Sequence, residues 1–126
     1  MKLPLPQVLV VEDDLDFAVV LLHGLQLIGA EATLASTGEE ALETVRQRRF
    51  DLIILDVRLP GISGLEVCRQ LKMDPAQRGI PVIFSSGDPG AWLRDAAFTV
   101  GAADYLLKPY GVEDFKTRVL AQLPKP

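Results

Sequence analysis

The chain has 126 residues, 48% of them apolar and 24% charged, with a formal net charge of −4 at pH 7. This length suffices for one domain with a core and is too short for two, so we treat residues 1–126 as a single domain, and the apolar fraction excludes a disordered segment. The charge pattern does not indicate a nucleic-acid surface, no apolar run reaches the ~18 residues of a membrane span, and a single cysteine favours a reducing, cytoplasmic location.

Five short apolar runs are predicted as strands. The runs at 8–11, 52–55 and 82–84 are almost purely apolar, which is typical of central parallel strands buried on both faces. The run at 31–35 alternates more, as an edge strand would. In chain order the predicted strands are QVLVV (7–11), EATLA (31–35), LIIL (52–55), PVIFS (81–85) and DYLL (104–107).

The first segment between strands has helical periodicity and ends at Gly29. Its inward positions are predicted to be Phe17, Val20, Leu21, Gly24, Leu25 and Ile28. Apolar residues on its outer side indicate a docking surface for a partner or a second copy, with scattered surface leucines as the alternative. These outer residues are Ala18, Val19, Leu22 and Leu27.

The other helices are predicted from their first residues. Capping boxes begin the second and third helices, and an aspartate followed by proline begins the fourth. The cap signals are Thr37 with Glu40, Ser63 with Glu66, and Asp88 with Pro89. The third helix has the inward stripe Gly64, Val67, Cys68 and Leu71, and the fifth carries Val112, Phe115 and Val119.

Strict alternation of strands and helices predicts an α/β fold with a doubly wound, five-stranded parallel sheet. By analogy with the flavodoxin-like (βα)5 architecture, we expect the strand order 2-1-3-4-5. Strands one and three then lie side by side, and the carboxyl ends of all strands share one edge, where ligands bind at the switch in strand order.

The residues that end the predicted strands carry charged or hydroxyl groups. They are Glu12, Asp13 and Asp14 after strand one, Asp56 after strand three, Ser85 and Ser86 at strand four, and Lys108 after strand five. Crowded carboxylates call for a cation, and ligands that are all oxygen favour Mg²⁺, with Mn²⁺ as the alternative. A metal, a lysine and a hydroxyl together suit a phosphoryl group, which an aspartate can itself accept.

Each of these residues also has an ordinary structural explanation. An acid after a strand is often a turn residue or a helix cap, and either Asp13 or Asp14 could cap the first helix. Lys108 alone could be a solvated surface lysine. The functional interpretation rests on their convergence at one edge of one sheet.

These segments resemble the receiver domain of two-component response regulators. The resemblance covers about residues 7–123 and leaves 124–126 as the start of a linker. The matching segments are VLVVEDD (8–14), DLIILDVRLPGISGLEVCRQL (51–71), IPVIFSSGD (80–88) and GAADYLLKPY (101–110).

The resemblance implies a role for each matched site residue. Asp56 is similar to the phosphoacceptor of the family, and Lys108 to the lysine that pairs with the phosphoryl oxygens. Magnesium would be held by Glu12, Asp13 and Asp56, with the backbone carbonyl of Arg58.

The resemblance also implies a switch. Ser86, five residues after Pro81 and directly before Gly87, is similar to the switch hydroxyl, because Ser85 would point to the opposite face of the strand. Tyr105 is similar to the aromatic switch residue, and the peptide bond before Pro109 is expected to be cis.

The implied function is a phosphorelay signalling switch rather than a conventional enzyme. The expected partner is a histidine kinase or a phosphotransfer protein, and the face of helix four, strand five and helix five would respond to the phosphoryl group. A homodimer through that face or through helix one is a further expectation, and we expect no nucleic acid or membrane to bind this domain.

One pair of rim residues suggests a hypothesis specific to this chain. Arg58 and Asp88 lie two residues after Asp56 and Ser86, and we expect them to pair across the mouth of the site and to hinder attacking water. Two independent solvated charges are the alternative.

Three other functions are possible for a fold of this class. A phosphatase of the haloacid-dehalogenase type needs a second aspartate two residues after the nucleophile, where this chain has Arg58. A flavin-binding module needs a phosphate-cradling loop after strand one, where EDDLDF (12–17) is acidic. A receiver that docks without being phosphorylated is the remaining alternative.

Overall fold

The computed structural model describes residues 4–125, which form five strands and five helices in strict alternation. Residues 1–3 and Pro126, the last residue of the predicted linker start, lie outside the described residues. The elements are β1 (Gln7–Val11), α1 (Leu15–Leu27), β2 (Glu31–Ala35), α2 (Gly38–Gln47), β3 (Leu52–Asp56), α3 (Gly64–Met73), β4 (Val82–Ser86), α4 (Ala91–Thr99), β5 (Asp104–Leu107) and α5 (Val112–Gln122).

The sheet has the predicted topology. All neighbouring strands pair in parallel, in the order β2-β1-β3-β4-β5. The predicted fold class and strand order are therefore confirmed, and each predicted strand lies within one residue of the observed one. Between residues 4 and 125, no helix is long and apolar enough to cross a membrane.

Two apolar layers cover the two faces of the sheet. One layer joins α2, α3 and α4 to strand residues such as Phe84, and the other joins α1 and α5 to strand residues such as Ile83. Because side chains alternate along a strand, consecutive residues of β4 face different helices. The predicted inward stripe of α3 is confirmed, since all four of its residues are buried.

The prediction for α1 was partly wrong. Ala18, predicted on the outer side, is fully buried, whereas Val20, predicted inward, is 63% exposed. The buried residues of the helix are Ala18, Leu21 and Leu25. Because a helix advances about 100° per residue, Val20 lies on the side of the helix away from these three residues. The exposed apolar residues of this helix are Leu15, Val19, Val20 and Leu27.

The helix caps were predicted with mixed success. Thr37 and Ser63 cap α2 and α3 as expected. However, Glu66 does not reach back to its cap, because its carboxylate binds Arg69 and Gln70 instead.

The predicted start of α4 was wrong. The cap position is occupied by Gly90, without a side-chain hydrogen bond, and not by Asp88. The Asp88 carboxylate instead accepts hydrogen bonds from the Gly90 N–H and from Arg58, so the chain makes a further turn before the helix begins. In α5, Phe115 and Val119 are buried as expected, but Val112 is 73% exposed.

Gly64 lets α3 begin directly behind the loop that follows β3. Its N–H donates to the Val57 carbonyl at 2.8 Å, and a Cβ at this position would overlap the backbone carbonyl of Asp56. The backbone of the Asp56 loop is therefore held in contact with the first turn of a helix.

We expect Gly64→Ala to lower the free energy of unfolding by about 1–3 kcal/mol, because the added methyl group has to displace backbone. The measurement is urea unfolding followed by circular dichroism. Gly79→Ala is the matched control, because nothing lies within 4 Å of a Cβ at that position. Equal unfolding midpoints for the two variants would contradict the packing argument.

Candidate functional site

The site lies where β1, β3 and β5 end. Glu12 follows β1, Asp56 is the last residue of β3, and Lys108 follows β5. Because the strands are parallel, these three ends share one edge of the sheet, and β1 and β3 are neighbours there. The chain leaves β1 toward one side of the sheet and β3 toward the other, so a crevice opens between them.

Lys108 joins the two buried carboxylates. Its Nζ lies 2.8 Å from Glu12 Oε1 and 3.4 Å from Asp56 Oδ2. Burial by itself would lower the pKa of Lys108, but the hydrogen bond to Glu12 and the charge of Asp56 outweigh it and raise that pKa. The lysine is therefore held in its charged form.

Glu12 is only 1% exposed, and its burial raises the pKa of its carboxyl group. The hydrogen bond from Lys108 opposes this shift, while the neighbouring charge of Asp56 adds to it. One ammonium group thus faces two carboxylates, and the site has an excess of negative charge that a further cation would relieve.

A third carboxylate completes a potential metal-binding group. Glu12, Asp13 and Asp56 each offer one oxygen, and these oxygens lie within 4.8 Å of one another. Asp13 is exposed, so one side of the group is open to solvent. Carboxylate oxygens with room for water and a phosphate oxygen are the ligands that Mg²⁺ prefers, and Mn²⁺ has similar preferences.

Backbone N–H groups orient the carboxylates. Glu12 Oε2 accepts from the Asp14 N–H, and Asp56 Oδ1 accepts from the Arg58 N–H, each at 3.1 Å. Asp14 itself caps α1, with its carboxylate accepting the N–H groups of Asp16 and Phe17. Of the two acids that could have capped α1, Asp14 is the cap, and Asp13 lies with the other carboxylates.

Two serine–tyrosine arrangements lie on opposite faces of β4. Ser86 Oγ accepts the Asp88 N–H at 3.1 Å, and the Tyr105 hydroxyl donates to the Asp88 carbonyl at 3.0 Å. On the other face, Ser85 Oγ and the Tyr110 hydroxyl are 3.0 Å apart. Both serines are almost completely buried.

An ion pair closes one rim of the site. Arg58 Nη2 lies 2.9 Å from Asp88 Oδ2, and the arginine side chain is 75% exposed. The hydrogen bond from the Gly90 N–H and then the guanidinium of Arg58 lower the pKa of Asp88. The Lys108–Pro109 peptide bond is cis.

Two aromatic residues of the site were missed from sequence. The Lys108 ammonium lies 4.3 Å from the centroid of the Phe17 ring, and Tyr110 packs edge-on against that ring. The sequence predicts Phe17 only as an inward residue of α1. The sequence feature that points to Tyr110 is its position two residues after Lys108, the lysine that directly follows β5.

Comparison with known proteins identifies the family. Residues 8–120 match the family model of the response regulator receiver domain. The phosphate regulon transcriptional regulatory protein PhoB of Rhizobium meliloti is 36% identical over 119 residues, which cover 94% of this chain and 52% of that protein. The chain spans about half the length of the curated relatives it matches.

Solved structures agree in fold. A putative response regulator from Chloroflexus aurantiacus has a TM-score of 0.93 and 32% identity, covering 97% of this chain and 100% of that one. The receiver domain of sensor histidine kinase PA1611 from Pseudomonas aeruginosa, solved with magnesium coordinated in its active site cleft, has a TM-score of 0.87 and 25% identity, covering 94% and 98%. This chain belongs to the family of response regulator receiver domains of two-component signalling systems.

Proposed function

We propose that the chain is a phosphorylation-controlled signalling switch, in which Asp56 receives a phosphoryl group from the phosphohistidine of a histidine kinase or a phosphotransfer protein. The observation that carries this proposal is the position of the Lys108 ammonium group between Glu12 and Asp56. In this arrangement the Lys108 ammonium group can neutralise the negative charge on the oxygens of a phosphoryl group that approaches Asp56.

The proposed reaction is a single transfer. A carboxylate oxygen of Asp56 attacks phosphorus, the P–N bond to the donor histidine breaks, and its electron pair leaves with the histidine nitrogen. The product is an acyl phosphate on Asp56. Lys108 neutralises charge on the phosphoryl oxygens, and the Arg58 N–H keeps Asp56 oriented, so the protein contributes mainly positioning and electrostatic stabilisation.

Magnesium would be held by Glu12, Asp13 and Asp56, with the backbone carbonyl of Arg58 as the predicted additional ligand. The fit rests on the spacing of the three carboxylates and on their chemistry. When bound, the ion supplies positive charge next to the phosphoryl oxygens. The receiver domain of PA1611 has a magnesium ion coordinated in its active site cleft, which supports a magnesium site in this chain.

The response to phosphorylation would begin at Ser86. Its hydroxyl and that of Tyr105 both bond the backbone of Asp88, just before α4. A phosphoryl group on Asp56 would attract the Ser86 hydroxyl, weaken its bond to Asp88, and let Tyr105 repack. The population would then shift between two packings of the face formed by α4, β5 and α5.

The alternatives receive less support. A phosphatase of the aspartate-nucleophile type needs a proton donor at position 58, where an always-charged guanidinium pairs with Asp88. A receiver that docks without phosphorylation would not need a lysine held between two buried carboxylates. Self-association through α1 or through the α4–β5–α5 face stays a prediction.

Acetyl phosphate with Mg²⁺ tests the acceptor. We expect intact-mass spectrometry to show an adduct of about 80 Da, the mass of one phosphoryl group. The adduct should be absent in Asp56→Asn and when EDTA replaces Mg²⁺. Asp51→Asn, at the opposite end of β3, is the matched control and should still form it. Equal adduct yield in Asp56→Asn would rule out Asp56 as the acceptor.

Calorimetric titration with Mg²⁺ tests the metal site. We expect Asp13→Asn to weaken the affinity for Mg²⁺ about tenfold or more, because one of three carboxylate ligands is lost. Asp16→Asn, which removes an exposed carboxylate in the first turn of α1, should bind Mg²⁺ like the wild type. Identical affinities for all three proteins would exclude Asp13 as a ligand.

The lifetime of the acyl phosphate tests the rim. We expect Arg58→Ala to shorten the dephosphorylation half-life by about two- to fivefold, since an exposed ion pair contributes about 0–1 kcal/mol and here shields the site from water. Arg46→Ala, whose partner Glu43 lies on α2, is the control. An unchanged half-life in Arg58→Ala would show that the Arg58–Asp88 pair has no part in hydrolysis.

A further inference from the structure

A partly buried hydrogen bond lies inside an aromatic cluster beside the site. The ring of Tyr110 packs edge-on against Phe17 at 5.7 Å and is stacked on Phe115 at 5.9 Å. Its hydroxyl reaches Ser85 Oγ at 3.0 Å, and Ser85 is 1% exposed. The proposed transfer and switch use neither of these hydroxyl groups.

This hydrogen bond lies next to the reacting residues. Ser85 and Asp56 are partners in the register of β3 and β4, so their side chains project on the same face of the sheet. Tyr110 follows Lys108 by two residues, and the Lys108 ammonium rests against the Phe17 ring that also contacts Tyr110. The segment 108–110 is thus attached at one end to the carboxylates and at the other to β4.

Tyr110 has the properties of an anchor and not of a proton carrier. Burial raises the pKa of its hydroxyl well above the usual range, the hydrogen bond to Ser85 opposes this, and the charges of Glu12 and Asp56 add to it. The group therefore stays neutral over the whole working range of pH. A neutral hydroxyl with a buried partner fixes the backbone that carries it.

We propose that Tyr110 and Ser85 are positioning residues for phosphoryl transfer, whose hydrogen bond holds segment 108–110 so that the Lys108 ammonium stays between Glu12 and Asp56. This inference rests on the proposed function. Its physical basis is that a lysine side chain is long and flexible, and a cation helps the transfer only while it is held at the reacting oxygens.

Two variants separate positioning from stability. Tyr110→Phe keeps the aromatic packing but leaves the Ser85 hydroxyl buried without its partner, which should lower the urea midpoint. Ser85→Ala combined with Tyr110→Phe removes both hydroxyl groups, so the midpoint should partly recover. The remote control is Thr44→Val, which deletes a hydroxyl bonded only within α2.

Two readouts are measured on each folded protein. The first is the NMR signal of the Lys108 ammonium in ¹⁵N-labelled protein, identified by its loss in Lys108→Arg. The second is the maximal rate of adduct formation with acetyl phosphate at saturating Mg²⁺. In both Tyr110 variants we expect faster solvent exchange of the ammonium and a maximal rate lower by about threefold or more, at an unchanged half-saturating concentration of acetyl phosphate.

The outcomes are distinguishable. Recovery of the rate together with the urea midpoint in the double variant, or a change only in the half-saturating concentration, would overturn the positioning role. Rates and ammonium signals like those of the wild type in both variants would overturn it as well. A wild-type chain that takes up no phosphoryl group would contradict the proposed function and the inference built on it.

Discussion

The site depends on the contact between one ammonium group and two buried carboxylates. Glu12 and Asp56 end neighbouring strands, and without a cation their mutual repulsion would favour protonation of one of them. Lys108 reaches them from β5, two strands away from β3 in the sheet. The parallel sheet is what permits this meeting, because it delivers residues separated by up to 96 positions in sequence to a single edge.

The second organising feature is β4, whose last two residues face different helices. Ser86 points to the layer of α2, α3 and α4 together with Tyr105, and Ser85 points to the layer of α1 and α5 together with Tyr110. A hydroxyl group on each face of the sheet therefore lies near the strand ends, where phosphorylation would change the charge. The Ser86 hydroxyl connects to α4 through the backbone of Asp88. The Ser85 hydroxyl connects to Lys108 through Tyr110, which follows the lysine by two residues.

Two errors made from sequence have a common cause, which is competition between partners for one side chain. Asp88 has the pattern of a helix cap, yet its carboxylate binds the Gly90 N–H and Arg58, and α4 begins later than expected. Glu66 has the pattern of a capping box, yet Arg69 and Gln70 take its oxygens. The error at Val20 has a different cause, because apolar spacing alone does not determine which side of α1 meets the sheet.

The sequence by itself determined the alternation of strands and helices, the strand boundaries to within one residue, and the acids, serines and lysine that would gather at one edge. These features follow from local periodicity and from the rule that parallel strands end on the same side. Only the tertiary structure decided between the alternatives that the sequence left open: Asp14 and not Asp13 caps α1, and Arg58 and Asp88 form a pair and are not two separate solvated charges. The bond of Tyr110 with Ser85 was not expected from the sequence at all. Those pairings depend on distances between segments far apart in the chain, which no local pattern encodes.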